Sequence, residues 1–176
     1  MAVSNYIQSV IDAARGRPRS TDWFKDKIAE FGKPGALDLI RDGKRSRNPF
    51  FGRLNMFFYD PKLKATLPYY DRFPLVLPIE RYTDGFLGIN FHYLPQPLRI
   101  QLLERLDARN FEGDYSSLKR IKLIKPCIKR YLTSKFKSGF LRLDETDYLP
   151  AVLMPVAQFQ KASESRVFAD SRRRAR

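Results

Sequence analysis

Three short runs, rich in aromatic and β-branched residues, dominate the hydrophobic pattern in the middle of the chain. They are RLNMFFYD at 53–60, FPLVLPIERY at 73–82 and GFLGINFHYL at 85–94. Runs of this length and composition are typical of β-strands in one sheet. The Asp84-Gly85 pair between the second and third runs is typical of a tight hairpin, which predicts that these two strands are antiparallel neighbours.

The prolines and the shortness of these runs indicate where the edge of the sheet lies and whether the sheet closes into a barrel. Pro74 and Pro78 remove two backbone donors from the second run, which indicates an edge strand or a bulged one. Three short, aromatic, bent strands are typical of a small SH3-like antiparallel β-barrel or a bent sheet. A barrel needs a later strand to close it, and YLPAVLMPV at 148–156 is the candidate. The predicted fold class is therefore α+β.

Helical periodicity occurs on both sides of the predicted strands. Before them, apolar residues at three- and four-residue spacing predict helices at about 4–14 and 22–31. After them, Pro97 at a first helical position and a series of leucines predict a helix that ends at about Ala108. Residues 115–142 carry an apolar stripe interrupted by a proline, which predicts two short helices or one kinked helix.

These elements divide the chain into three predicted parts. Residues 1–50 form a helical arm with a basic connector, residues 51–160 form one β-rich core domain, and residues 161–176 form a basic tail. The core domain carries a basic helical insertion at about 96–138. The tail is polar, so we expect it to become ordered only on a partner.

The charge of the chain indicates the kind of partner. It carries 33 Lys and Arg against 19 Asp and Glu, a formal net charge of +14. Such an excess indicates a polyanion or an acidic neighbouring surface. Residues 118–142 hold nine cations and no acid, and on a helical wheel most of them lie opposite the apolar stripe. The candidate nucleic-acid-binding residues are Lys119, Arg120, Lys122, Lys125, Lys129, Arg130, Lys135, Lys137, Arg172, Arg173 and Arg174.

The aromatic stretch at 59–79, YDPKLKATLPYYDRFPLVLPI, allows two interpretations. Tyr69, Tyr70 and Phe73 can form a stacking platform for the bases of single-stranded nucleic acid. The many leucines and the isoleucine of the same stretch are typical of a core instead. We expect a buried core with an exposed rim of tyrosines, and we expect the basic segments on either side to carry the binding.

Catalytic and metal-binding residues are scarce in the sequence. His92 is the single histidine and Cys127 the single cysteine, so they cannot assemble an ordinary zinc site. A carboxylate site for Mg²⁺ is the remaining option, but Asp60 and Asp84 lie in ordinary turn sequences. The chain also lacks the common phosphate-binding and nucleophile-elbow motifs. We therefore expect no cofactor, no metal site and no enzymatic activity.

The compartment is predicted from the cysteine count and the apolar runs. A single cysteine cannot form an internal disulfide, which fits assembly in a reducing cytosol. No apolar run approaches the ~20 residues of a membrane span, and the N-terminal residues lack the apolar core of a signal peptide. Membrane insertion and secretion are both unexpected.

Several long and unusual phrases resemble one family of virion proteins. The phrases are RSTDWFKDKI, NMFFYDPK, LPYYDRFPLVLPI, GFLGINFHYLP, KPCIKRYL, LMPVAQFQKAS and VFADSR, spread from about residue 20 to residue 171. In these the chain resembles the DNA end protector group of T-even-type contractile-tailed phages. The resemblance implies a low-copy protein that is added to filled heads near the head-tail vertex, binds the end of the genome and blocks exonucleases. It implies no catalytic motif.

Three functions are compatible with these observations. The first is a non-catalytic virion protein that binds linear double-stranded DNA ends at the head-tail region, in contact with neck, portal or tail proteins. The second is a structural tail, baseplate or neck protein whose basic arm and tail clamp acidic neighbouring subunits without DNA contact. The third, an enzyme on an SH3-like barrel such as a toxin-type ribonuclease, lacks a convincing acid–base pair. We expect a virion protein assembled in the host bacterial cytoplasm, with no membrane and no small-molecule substrate.

Overall fold

The structure, a computed structural model, describes residues 44–176, except for the side chains of Thr146 and Pro150. The helices predicted at 4–14 and 22–31, and most of the predicted N-terminal arm, lie outside the described residues. The division of the chain into an arm, a core domain and a tail stays a prediction.

The described residues combine short strands with short helices. The strands are β1 Lys44–Ser46, β2 Asn55–Met56, β3 Tyr70–Asp71, β4 Leu75–Tyr82, β5 Gly85–Asn90, β6 Ile128–Leu132, β7 Phe140–Arg142 and β8 Phe159–Gln160. The α-helices are α1 Gln96–Asp107, α2 Tyr115–Leu118, α3 Tyr148–Leu153 and α4 Glu164–Arg174. Short 3₁₀ turns lie at Phe91–Tyr93, Lys122–Ile124, Thr133–Lys135 and Glu145–Asp147. The predicted mixed α+β class is confirmed.

Six strands form one antiparallel sheet in the order β1-β7-β2-β4-β5-β6, and β3 pairs with β8 separately. The predicted hairpin through Asp84-Gly85 is confirmed, because β4 and β5 pair directly across it. A side chain at Gly85 would collide with the carbonyl oxygen of Tyr131, which explains a glycine at this position. The ladder shifts register after Pro78, so β4 is a bulged interior strand and not an edge strand.

The SH3-like barrel is not confirmed, because the sheet stays open with β1 and β6 at its edges. The prediction of a closing strand at 148–156 was wrong: its first six residues form the helix α3. Tyr148, Leu149 and Val152 are almost completely buried in that helix. A short run that is apolar on all sides suits a buried helix as well as a buried strand, so periodicity could not separate the two.

The prediction of two short basic helices or one kinked basic helix within residues 115–142 was also wrong. Only α2 is α-helical there; a 3₁₀ turn follows, and the cations Lys129 and Arg130 lie on β6. Ile124 and Cys127 are buried, so the apolar stripe is real, but turns and a strand present it to the core. Beyond Pro126 the chain pairs with the outer edge of β5, and this tertiary partner overrides the helical spacing.

Both faces of the large sheet are buried, which explains why apolar residues follow one another without alternation. Leu75 and Leu77 of β4 face an aliphatic cluster that includes α1 and α3. Val76, between them, faces an aromatic cluster with Phe57 and Phe86. Strands that are covered on both sides have continuous hydrophobic runs. The expectation of a core within 59–79 is confirmed for residues 73–78, where Phe73 is only 1% exposed, but residues 62–66 are exposed and Leu63 is 62% exposed.

The C-terminal residues are ordered within the chain itself. The Ser163 hydroxyl accepts a hydrogen bond from the backbone N–H of Arg166 and so caps α4. Val167 and Ser171, four residues apart, are buried, and Phe168 packs against the aliphatic cluster. The expectation that this tail is ordered only on a partner was therefore wrong. Two apolar residues and one serine on a single face are enough to dock an otherwise polar helix.

Candidate nucleic-acid interface

A cavity of about 440 Å³ lies between β6 and the loop formed by residues 61–69. We call it the tyrosine cavity, because five tyrosines lie along its walls. They are Tyr59, Tyr69, Tyr70, Tyr93 and Tyr131. Its volume falls within the ~300–1,000 Å³ that is usual for small-molecule sites in proteins.

The loop 61–69 is held in place from the C-terminal side of the chain. The Lys161 ammonium donates hydrogen bonds to three carbonyl oxygens of this loop, at distances from 2.5 to 3.2 Å. At the end of the loop, β3 pairs with β8. Because both attachments are far away in the sequence, the wall of the cavity depends on the tertiary fold.

Four cations line the tyrosine cavity. Lys129, Arg130 and Arg174 were sequence candidates, and Lys62 of the loop joins them. The Lys129 ammonium lies 3.9 Å from the centre of the Tyr93 ring, a cation–π contact. Burial lowers the pKa of Lys129 to about 8, and the ammonium is still mostly protonated at pH 7.

Arg130 is positioned by two contacts at the mouth of the cavity. Its guanidinium forms an ion pair with Asp84 and lies 3.9 Å from the centre of the Tyr82 ring. Asp84 belongs to the β4–β5 hairpin, so the hairpin turn fixes the arginine. An arginine held in this way can still present other N–H groups to a phosphate, because it has five donors.

A second cavity of about 500 Å³ adjoins the first, and Tyr59 and Tyr70 line both. It contains Lys137, a sequence candidate, together with Lys64 and Arg72. Asp60 lies there too, with its carboxylate 3.0 Å from the Lys64 ammonium. This hydrogen bond lowers the pKa of Asp60 below its ordinary value. Positive charge therefore continues from one cavity into the next.

The other seven candidates line neither of these two cavities. They are Lys119, Arg120, Lys122, Lys125, Lys135, Arg172 and Arg173. Six of them are exposed, and Lys135 is half-buried. Arg173 also forms an ion pair of 2.9 Å with Asp170 on α4. The structure thus brings Lys129, Arg130 and Arg174 together and places Lys137 beside them.

The sequence had no strong signal for Lys62, Lys64 and Arg72. The two lysines interrupt an aromatic, proline-rich stretch that was interpreted as core with a tyrosine rim. Tyr69 and Tyr70, expected to be an exposed rim, are half-buried at the cavity walls. The presence of two lysines inside an otherwise apolar stretch was the signal that could have indicated a surface loop here.

Asp71 forms a buried polar network behind the tyrosine cavity. Its carboxylate accepts hydrogen bonds from the backbone N–H groups of Phe73 and Gln158, both at 3.0 Å. It also accepts from Nδ1 of His92 at 2.7 Å and from the side-chain amide of Asn90 at 3.3 Å. All its oxygens are thus engaged, and the network joins three segments of the chain.

The pKa shifts of Asp71 and His92 leave one negative charge, that of Asp71, in the buried network. Burial raises the pKa of Asp71, but the His92 imidazole and the two backbone donors lower it by more, so the carboxylate is ionised. Burial lowers the pKa of His92 below its ordinary value despite the nearby carboxylate. A neutral His92 imidazole that donates a hydrogen bond from Nδ1 to an ionised Asp71 is consistent with both pKa shifts. Nε2 has no hydrogen-bond partner among residues 44–176.

Arg99 is a second buried charge. Its guanidinium donates hydrogen bonds to the carbonyl oxygens of Leu94 (2.6 Å), Val152 (3.1 Å) and His92 (3.3 Å). Burial lowers its pKa to about 10, so it stays charged at neutral pH. Arg99 therefore ties the start of α1 to α3, which is a structural role that the sequence did not predict.

Two further observations concern residues 44–176 only. They contain no group of three or more His, Cys, Asp or Glu side chains placed to hold a metal ion. Their helices are all too short or too polar to cross a bilayer.

The chain was compared with family models, curated proteins and solved structures. Neither a curated protein nor a solved structure matches the chain. A family model described as Phage T4 terminal DNA protecting protein matches residues 3–173. This is nearly the whole chain, and it confirms the resemblance carried by the phrases in the sequence. The chain therefore belongs to the family of the phage T4 terminal DNA protecting protein.

Proposed function

We propose that the protein binds the ends of linear double-stranded DNA and shields them by occupancy, without cutting them. One observation carries this proposal: in a chain of a DNA-protecting family, four cations converge on a cavity walled by tyrosines. Cations supply affinity for phosphates, and accessible aromatic surface, here that of the half-buried Tyr69 and Tyr70, can stack on bases. A DNA end offers both kinds of partner, since its last base pair exposes a flat face.

The electrostatics favour contact with a DNA backbone. Lys62, Arg130 and Arg174 are exposed at the tyrosine cavity, and Lys137 and Arg72 extend the positive surface into the second cavity. Each phosphate that is neutralised releases condensed counterions, so binding weakens as salt rises. If six phosphates are contacted, the slope of log affinity against log salt is about −5.

A non-catalytic role fits the chemistry of the acid nearest the tyrosine cavity. Asp71 accepts four hydrogen bonds and is buried, so its oxygens are not available to a water molecule or a metal ion. A general base must reach the proton that it removes, and this carboxylate cannot. Protection by occupancy needs only a stable complex at the end.

The test is an exonuclease protection assay on linear duplex DNA. We expect the protein to slow digestion from the ends at low salt and to lose this effect as salt rises. The same DNA as a closed circle is the competitor. A circle that competes as well as an equal mass of linear DNA would contradict end binding, and digestion by the protein alone would contradict the non-catalytic role.

We place the protein in the virion at the head-tail region, with neck, portal or tail proteins as neighbours, after assembly in the host bacterial cytoplasm. The family supports a phage protein that meets the genome end, and the resemblance implies the vertex. Labelling of assembled particles locates the protein. Label on the distal tail or baseplate would favour the alternative, a structural protein that clamps acidic neighbours.

A further inference from the structure

We infer that the tyrosine cavity takes one unpaired nucleotide at the DNA end, a single-stranded overhang or a base released from the last pair. This inference rests on the proposed function and makes it more specific. It is carried by three features of the cavity: its tyrosine walls, the edge of β6 that pairs with no strand within residues 44–176, and the distribution of charge.

The walls are suited to a flat, aromatic ligand. Tyr69 and Tyr70 are half-buried and keep accessible ring surface, while the other three tyrosines are almost completely buried. Leu67 and Ile128 add apolar surface. Tyrosine rings stack on bases regardless of sequence, because every base has a π face. A volume of about 440 Å³ falls within the usual range for sites that take one small molecule, which is the size class of a single nucleotide.

The edge of β6 that faces the cavity offers backbone hydrogen bonds. The Asn90 N–H donates to the Cys127 carbonyl at 2.9 Å, whereas the Leu132 N–H donates to the Tyr59 hydroxyl at 3.1 Å, on the other side. Since ladder bonds alternate along an antiparallel pair, the backbone groups of Ile128 and Arg130 also point away from β5.

These groups are available to a ligand. Ile128 and Arg130 both line the tyrosine cavity, and among residues 44–176 no backbone hydrogen bond is made to that edge of either residue. N–H and C=O groups side by side match the donor and acceptor groups on the edge of an unpaired base. They do not depend on the identity of a side chain, so little sequence preference is expected.

The charge around the cavity selects an anionic ligand. Lys62, Lys129, Arg130 and Arg174 face it, and the acid in its lining is Asp71, whose oxygens are already engaged. The Lys129 ammonium lies within the cavity, on the Tyr93 ring, while Lys62 and Arg174 are exposed at its border. An inserted nucleotide has a phosphate on either side, and cations within and at the border of the cavity can contact both.

A free strand edge is also typical of sites that take a peptide strand. The four cations and the tyrosine walls favour a nucleotide, because a peptide strand needs neither phosphate ligands nor stacking partners. The peptide alternative is an outcome of the experiment below.

The experiment uses the full-length chain and short duplexes that carry 2-aminopurine as the terminal nucleotide. One duplex is blunt, one has a single-nucleotide 5′ overhang and one a single-nucleotide 3′ overhang. We expect one of the overhang duplexes to bind about tenfold more tightly than the blunt duplex, and its 2-aminopurine fluorescence to be quenched by stacking. The polarity of that overhang gives the direction of entry.

Three variants test the cavity itself. Tyr69→Ala is expected to remove most of the tenfold preference and the quenching, while Tyr69→Phe keeps both because the ring remains. Tyr115→Ala is the matched control, since Tyr115 is exposed on α2 and lines neither of the two cavities. Thermal melting of each variant verifies that it is folded. A Tyr69→Ala protein that is folded and keeps the preference would overturn the inference.

The outcomes separate this inference from the proposed function. Equal affinity for blunt and overhang duplexes, without quenching, overturns the nucleotide site and leaves the β6 edge for a peptide strand, although end protection can still hold. Quenching of an overhang nucleotide without any exonuclease protection supports the site and contradicts end protection.

Discussion

The molecule has two charged regions that differ in how their charges are satisfied. Asp71 and Arg99 are buried, and each is surrounded by hydrogen-bond partners from distant segments of the chain. Lys62 and Arg174 are exposed at the tyrosine cavity. The first region uses its charges within the fold, and the second presents them to the outside.

This difference separates residues that hold the fold from residues that bind. Removal of a buried charged side chain leaves its hydrogen-bond partners unsatisfied in a medium of low polarity. Such a substitution is therefore strongly destabilising. An exposed cation contributes little to folding because water and salt screen it. The same cation contributes to DNA affinity with every phosphate that it neutralises. Substitutions in the two regions should therefore affect different measurements.

The largest expected effect is in the buried region. Asp71→Ala leaves two backbone N–H groups and the His92 imidazole without their acceptor, and we expect the free energy of unfolding to fall by about 3–5 kcal/mol. Urea denaturation measures it. Asp144→Ala is the control, since it removes an exposed carboxylate whose ion pair with Arg142 is 3.7 Å long, and it should cost less than about 1 kcal/mol. Equal effects of the two substitutions would mean that the buried network does not hold the fold.

The next effect concerns binding rather than stability. The double substitution Lys62→Gln with Arg174→Gln should weaken binding to linear duplex DNA about tenfold or more at low salt. The slope of log affinity against log salt should become shallower by about 1.8, because two phosphate contacts are lost. Thermal melting should change by only a few degrees, since both side chains are exposed.

A matched control removes the same charge from another surface. Arg105→Gln with Arg109→Gln changes two exposed arginines at the end of α1 that line neither of the two cavities. We expect a salt slope close to that of the unchanged protein. If both double variants lose the same affinity, general positive charge and not the tyrosine cavity accounts for binding.

A smaller effect follows from the pKa of Asp71. Its folded-state pKa is below the ordinary value of about 3.9, so its contribution to stability is complete above that pH and is lost as the pH falls further. The isosteric Asp71→Asn variant lacks this titration. The difference in unfolding free energy between the two proteins should therefore narrow below about pH 4. Denaturation curves from pH 7 to pH 3 measure it, and a constant difference would contradict the assignment.

The smallest effect is expected at an exposed pair on α4. Arg173 lies 2.9 Å from Asp170, three residues earlier on the same helix. Such surface pairs contribute less than about 1 kcal/mol, so Arg173→Ala should barely change the melting temperature. Arg173 also lines neither cavity, and we expect the salt slope to change by less than about 1. A larger loss of DNA affinity would extend the interface along α4.

Some features were determined by the sequence alone, because their causes are local. The Asp84-Gly85 pair specifies a hairpin since the turn itself selects these residues, and β4 and β5 do pair there. Pro78 removes a backbone donor, and the ladder shifts register beside it. Pro97 lies in the first turn of α1, where a missing N–H has no cost. The phrases shared with the phage family also lie in the sequence itself and needed no structure.

Other features were decided only by the tertiary structure, because their causes lie far apart in the chain. Residues 148–153 are mostly apolar, and the apolar residues of 128–132 have a spacing that fits a helix, so neither pattern separates a helix from a strand. The first became a helix against α1, and the second became a strand because β5 had a free edge. Asp71 meets a histidine 21 residues later, and the tyrosine cavity joins the loop 61–69 to β6 and α4. Periodicity reports only which residues are buried; which partner buries them, and which cations then share one cavity, depends on contacts that exist only after the chain has folded.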